Sequence, residues 1–180
     1  MTFRHSLACA APRLAGLIAL ALLAACAGDH DPPPGDPSFY HSMAAAGAAL
    51  DAPTAASMIS GYRRNNGLGE VAIDPALMKL AQAQAGAMAS RDKLDHDVMR
   101  GFPDRLKASG FDAKFAAENI GAGYHTLAEA FSGWRDSPPH RANMLLKGAS
   151  RMGIAATYAP KSKYKVFWAL ILAAPDDRRG

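Results

Sequence analysis

The chain has 180 residues, with 20 Lys+Arg against 16 Asp+Glu, 6 His and 2 Cys, and 49% of it is hydrophobic. That much apolar material excludes a wholly disordered or collagen-like chain, and the length suits one domain of ordinary size plus an additional segment. Net charge is +4, but Arg4 and Arg13 lie in an acid-free start. Without them the balance is 18 to 16, so the high pI is no evidence for a nucleic-acid partner.

Met1 to Arg13 carries Arg4, His5 and Arg13, and Leu14 to Leu23 then runs without a charge or a strong polar group. A bilayer-spanning helix needs roughly 20 apolar residues, so this run reads as the core of a secretory signal peptide. It ends in Leu23-Ala24-Ala25-Cys26, which resembles the lipobox of bacterial lipoproteins. The resemblance implies cleavage before Cys26, a diacylated Cys26 as the first residue of the mature chain, and a cell-envelope lipoprotein anchored in a membrane. An ordinary signal cleaved near Ala25 or Ala27, with Cys26 an incidental thiol, is the alternative. Ala27 stands where an aspartate would mark inner-membrane retention, so in a Gram-negative host the expected destination is the outer membrane. Cys9 falls in the discarded part, which leaves the mature domain without a free thiol or a disulfide.

Residues 26–53 read as a tether, since Asp31-Pro32-Pro33-Pro34-Gly35-Asp36-Pro37 favours extended polyproline backbone. Met43 to Leu50 is alanine-rich and could form a marginal helix. The domain is expected over 54–175, with a tail at 176–180. Met58, Ile59 and Tyr62 sit at helical spacing before Asn65-Asn66-Gly67. Asp74-Pro75 opens a second helix, with Leu77, Leu80, Ala81, Gln84, Ala85 and Met88 on one face. Phe102 to Ser109 is a short helix, and Thr126-Leu127-Ala128-Glu129 is a capping box that starts a helix carrying Ala130, Phe131 and Trp134. Ser137-Pro138-Pro139 ends that helix, and another short one follows over His140 to Leu146. Met152 to Tyr158 and Tyr164 to Ala173 read as a terminal β-hairpin. Helices first and an antiparallel pair last make the class α+β.

Three stretches carry candidate chemistry: His96 in Leu94-Asp95-His96-Asp97, Glu118 in Ala117-Glu118-Asn119-Ile120-Gly121, and His140 after Pro138-Pro139. The intervals of 22 and 22 residues are too long for a local zinc motif. Any shared site must be assembled by the fold; from the residues alone, scattered surface histidines are the simpler reading.

The order of the segments points further. Tyr62-Arg63-Arg64-Asn65-Asn66-Gly67-Leu68, Asp74-Pro75-Ala76-Leu77, the three stretches above, Arg105-Leu106 with Gly110-Phe111, Trp134 with Ser137 to Leu145, Gly153-Ile154-Ala155 and Phe167-Trp168 together resemble the CAP superfamily (SCP/TAPS domain) in its bacterial form. The resemblance covers residues 57–173. It implies a three-layer α-β-α sandwich with an antiparallel sheet, and a cleft in which His96 and His140 face each other with Glu118 nearby. In family members such a histidine pair can bind zinc or another divalent metal, and a carboxylate can join directly or through water. A polar cluster in a groove for an organic ligand is the alternative. Asn119, Ser137, Arg141 and Asn143 are expected to support the cleft. Ser137 stands where many eukaryotic members carry a second cleft glutamate, Ala117 replaces the usual glycine, and Leu170 lies near the place of a common glutamine. Glu129 belongs to its capping box, His125 to an exposed loop, and His30 and His41 to the tether. Trp134, Phe131 and Trp168 read as core. Lys161, Ser162, Lys163 and Lys165 read as a solvated hairpin tip, able to add weak attraction near lipid headgroups.

The expected function is that of an exported, membrane-anchored module whose cleft binds a divalent metal, a small ligand or an envelope component without catalysis. The rival is a metal-dependent hydrolase with Glu118 as general base. The chain has no Gly-x-Ser-x-Gly elbow and the mature domain no thiol, so covalent catalysis by those routes gains no support.

Overall fold

A computed structural model describes residues 35–176. The signal segment, Cys26, His30 and the first part of the tether lie outside the described residues, as does the end of the tail. Among the described residues, no helix is long and apolar enough to cross a membrane.

Helix α1 spans Ala52–Asn65, and Asp51 caps it by accepting a hydrogen bond from the Thr54 backbone N–H. The hydroxyls of Ser38 and Thr54 also donate to Asp51, and together these bonds lower its carboxyl pKa to about 2. Strand β1 is only Ala72–Ile73. Helix α2, Pro75–Arg91, starts where Asp74-Pro75 predicts, with Asp74 accepting from the N–H groups of Ala76 and Leu77. Helix α3 spans Phe102–Ala108 and strand β2 Ala113–Ala122. The Thr126–Glu129 capping box is present at the head of α4, Leu127–Asp136. Helix α5 runs Pro138–Met144, so it begins two residues before the expected His140: Pro138 takes the first helical position, where a missing N–H costs nothing. Strands β3, Arg151–Tyr158, and β4, Val166–Pro175, form the expected terminal hairpin.

The sheet order is β1-β3-β4-β2. β2 and β3 both pair antiparallel with β4. The expectation of an antiparallel sheet needs one correction, because β1 pairs parallel with β3. Strand β4 is buried on both faces, and its alternation makes the three layers. Val166, Trp168, Leu170 and Leu172 pack with Ile59 of α1, Trp134 of α4 and Met144 of α5. Phe167, Ala169, Ile171 and Ala173 pack with Leu77, Leu80, Ala81, Ala85 and Met88 of α2. The strand thus reads as a continuous apolar run.

The tether boundary also moves. Ser38–Tyr40 forms a short 3-10 turn, Met43 is buried, and its N–H donates to the His125 carbonyl at 2.6 Å. Phe39, Ala44 and Leu50 pack on the same core. The folded part therefore begins well before Thr54, because these side chains find cover on the α1/α4 layer. The Met43–Leu50 stretch forms bends rather than a helix, with Gly47 at φ +79°.

Arg63 secures the far end of this layer. It is 1% exposed, and it donates to the carbonyls of Gly69 (2.8 Å), Met144 (2.9 Å), Leu146 (3.0 Å) and Ala149 (2.8 Å). One guanidinium thus joins the loop after α1 to the loop after α5. Burial pushes its pKa below the usual arginine value. Truncation would leave buried carbonyls unpaired, each at about 1–3 kcal/mol.

Gly153 sets the spacing between α2 and the sheet. A Cβ there would lie 2.2 Å from the Leu77 carbonyl carbon and oxygen, whereas one at Gly86 within α2 would meet nothing within 4 Å. Gly153→Ala is expected to lose about 3 kcal/mol through overpacking against backbone. Gly86→Ala is expected to gain about 0.5–1 kcal/mol from helix propensity. Urea unfolding of both variants, with equal m values, checks the contrast.

Candidate functional site

The site gathers at the free edge of β2. Alternation along that strand sends Glu118 to the α2 side, with Ala116 and Ala122, and Asn119 to the opposite side. Two carbonyls on the unpaired edge are capped by side chains: Asn143 donates to Glu118 O at 3.2 Å, and Trp134 Nε1–H donates to Ile120 O at 3.1 Å. An edge strand is thereby covered rather than left open.

Glu118 is the buried centre. Arg105 Nη2 donates to its Oε1 at 2.8 Å and Oε2 at 3.0 Å, and the two side chains are 3% and 1% exposed. His96 Nδ1 lies 2.9 Å from Glu118 Oε1, with its own side chain 49% exposed. A carboxylate only accepts, so Nδ1 carries a proton, and in the neutral ring Nε2 keeps its lone pair. The loop bearing His96 is pinned from beneath. Gln84 of α2 donates to Asp95 O (2.8 Å) and His96 O (3.3 Å), and Arg105 donates to His96 O (3.0 Å) and Arg100 O (3.0 Å).

His140 arrives from the other layer, at the start of α5. Its Nδ1 lies 2.9 Å from Ser137 Oγ, and its carbonyl accepts from Asn119 Nδ2 at 2.9 Å. Asn143 Nδ2 closes the link by donating to Asn119 Oδ1 at 2.9 Å. Asn119, Ser137 and Asn143 therefore all bond within the cluster. Arg141 is exposed and makes no side-chain hydrogen bond among the described residues. Glu129 accepts from the N–H groups of His125 and Thr126, and His125 is exposed. Trp134 and Trp168 are buried edge-to-face with ring centroids 6.4 Å apart.

The two imidazoles titrate apart. The hydrogen bond to Glu118 raises the His96 pKa, with burial opposing it. Burial lowers that of His140, and the charge on His96 lowers it further. Each ring engages Nδ1 locally, so Nε2 is the nitrogen left for a ligand. Among the described residues, no group of three or more His, Cys, Asp or Glu is close enough to hold a metal ion.

Arg105 and Gln84 hold the candidate site together, and the sequence reading does not single them out for it. The signal for Gln84 was a polar residue on an otherwise apolar helix face. Arg105 stands in the family pattern, but the sequence carries no signal that it is buried against Glu118.

Residues 56–172 match the CAP family, described as the cysteine-rich secretory protein family. The chain belongs to the CAP family. It is 34% identical over 94 residues to the uncharacterized protein YkwD of Bacillus subtilis, covering 51% of this chain and 37% of that protein. It thus spans little more than a third of that relative. The fold is similar to that of an extracellular protein of Bacillus anthracis containing an SCP domain, with a TM-score of 0.60 and 22% identity, covering 68% of this chain and 39% of that one. It is also similar to an outer surface protein of Borrelia burgdorferi, with a TM-score of 0.60 and 18% identity over 70% of this chain and 93% of that one. These likenesses establish the sandwich fold of a bacterial-type CAP domain.

A raised folded pKa makes the His96 contribution to stability complete below its unfolded value near 6.5 and lost as pH rises through the folded value. The lowered value of His140 acts in the opposite sense, its contribution being lost as pH falls from 6.5 through the folded value. In an NMR titration of the imidazole Cε1–H signals, His96 is expected to titrate above His140. Glu118→Gln should bring His96 down and destabilise the fold by about 3–5 kcal/mol, since Arg105 is left buried and unpaired.

Proposed function

We propose that this CAP-domain protein is exported and membrane-anchored, and that its cleft is a non-catalytic binding site in which His96 and His140 hold a divalent cation through Nε2. The observation that carries this reading is that both rings use Nδ1 for an internal hydrogen bond, to Glu118 and to Ser137. A ligating histidine held by a carboxylate on its other nitrogen is a recurrent arrangement, since the partner fixes the tautomer and raises ligand basicity. Neutral imidazole suits zinc, and a site with two protein ligands completed by water binds it weakly and openly. In this reading Glu118 orients His96 rather than ligating, because both its oxygens accept from Arg105. A small envelope ligand that accepts or donates at the two Nε2 atoms fits the same geometry.

The same bonds weigh against Glu118 as the general base of a hydrolase. A base needs a free oxygen within reach of the water it activates, and this carboxylate is buried behind His96 and paired with a guanidinium. Export and anchoring rest on the apolar run and on Cys26.

Zinc titration by calorimetry on the full chain tests the cleft. One-to-one binding is expected, lost in His96→Ala and in His140→Ala, and weakened about tenfold in Ser137→Ala. Affinity should fall as pH drops from 8 to 6, beginning above 6.5 because His96 holds its proton longer than a free imidazole. A folded wild type that binds no zinc, or binds it equally at pH 5 and pH 7.5, overturns the metal reading. Anchoring is checked separately by metabolic labelling with an alkyne fatty acid in the native host: the wild type is expected to carry label in the membrane fraction, and Cys26→Ser to carry none.

A further inference from the structure

The fold decides where the basic hairpin tip stands relative to the point at which the tether enters the domain. Between Tyr158 and Val166, the turn joining β3 to β4 carries Lys161, Lys163 and Lys165 and no acid. Lys161 and Lys163 are exposed, and Lys165 donates to the Pro160 carbonyl at 2.8 Å. The Ser162 hydroxyl donates to Asp92, so the end of α2, with Arg91 and Lys93, is held beside the tip.

A chain of bonds leads from this tip to the tether. The Gly123 N–H donates to Val166 O at 3.0 Å, and Trp168 Nε1–H donates to Tyr124 O at 2.8 Å. His125 O accepts from the Met43 N–H, and the His41 ring reaches back to within 2.9 Å of Asp36 O. The tip, the loop before α4 and the first described residues therefore share one end of the sandwich. Tyr40 stands there 59% exposed, an amphipathic ring of the kind that settles at headgroup level. Lys114 at the start of β2 and Lys147 just before β3 lie at the opposite end.

Carboxylates are present near the tether as well. Asp51 caps α1 and Glu129 caps α4, while on the α2 side Asp95 pairs with Lys93 at 2.7 Å. Positive charge is therefore concentrated in the tip itself. Ten residues lead from Cys26 to Asp36, a reach of at most about 35 Å. With Cys26 in a bilayer, Asp36 is the point of the described fold tied closest to it. A surface tethered in this way needs only weak attraction, because contact is intramolecular. Each lysine brought against an anionic bilayer strengthens the contact about fivefold.

We propose that this end of the domain faces the bilayer and that Lys161, Lys163 and Lys165 sit against anionic phospholipid headgroups. The proposal rests on the anchoring at Cys26, which supplies a membrane but names no face of the domain.

Amine acylation read by mass spectrometry tests it, on the full chain mixed with phosphatidylcholine vesicles with or without about 30% phosphatidylglycerol. The anionic vesicles are expected to protect Lys161 and Lys163 at least about threefold, and to leave Lys114 and Lys147 as reactive as before. That protection should vanish in about 0.5 M salt. Lys161→Glu with Lys163→Glu should cut the preference for anionic over neutral vesicles about tenfold or more, and Lys161→Arg with Lys163→Arg should keep it. Equal reactivity on both vesicles, protection of Lys114 or Lys147 instead, or an undiminished preference in a folded glutamate variant overturns the proposal. So does equal protection by soluble polyphosphate, which would make the tip a general anion patch. Both vesicle types meet the same chain, so the acyl group does not enter the comparison. Fatty-acid label at Cys26 without lysine protection removes this face and keeps the anchor; protection without label keeps the face and removes the anchor.

Discussion

The buried ion pair between Arg105 and Glu118 is the constraint around which the candidate site is arranged. Taking a carboxylate and a guanidinium out of water is costly, and the cost is recovered only when the remaining donors and acceptors are satisfied. Here the same guanidinium also binds the backbone of the loop carrying His96, and the same carboxylate takes the His96 ring nitrogen. The pair therefore determines where the loop sits, which tautomer the imidazole adopts and which nitrogen it presents. Gln84 adds a second hold on that loop from within the α2 layer. A long excursion between α2 and α3 is made definite by three side chains.

The other half of the candidate site is built by amides. Asn119 and Asn143 tie β2 to α5 through neutral hydrogen bonds, and the backbone carbonyl of Glu118 is part of that link. Adjacent residues of one strand thus serve opposite layers: Glu118 holds His96 from the α2 side and Asn119 holds His140 from the α5 side. The two histidines come from elements 44 positions apart in sequence, yet their supports are consecutive in the chain. This is economical because a strand delivers neighbouring side chains to opposite faces without further geometry.

The departure from the eukaryotic pattern at Ser137 takes on a physical meaning in this frame. A hydroxyl there orients the His140 ring through Nδ1, where a glutamate would add a second carboxylate. The candidate site is left with one buried anion, Glu118, already paired with Arg105. The histidines are consequently perturbed in opposite directions, His96 by its carboxylate and His140 by burial.

Much of the fold was legible in local chemistry. Asp74-Pro75, the Thr126–Glu129 box and the apolar hairpin act over a few residues, so spacing alone locates α2, α4 and the β3–β4 pair. Strand β2 was not legible as a strand. Ala113 to Ala122 contains a single β-branched residue, Ile120, and its extended form depends on the ladder to β4. The packing of Phe39 and Met43 was hidden for the same reason, since their cover comes from a layer formed later in the chain. His96, Glu118 and His140 could be named from the sequence through their family pattern. Whether Glu118 faces a ligand or a guanidinium could not, because burial and charge pairing arise only when α3 closes on β2. Residue identity and short-range spacing determined the elements and the candidate side chains. The partner of each polar group was decided by tertiary contact, because an ion pair or a carbonyl cap is chosen by which surfaces lose water together.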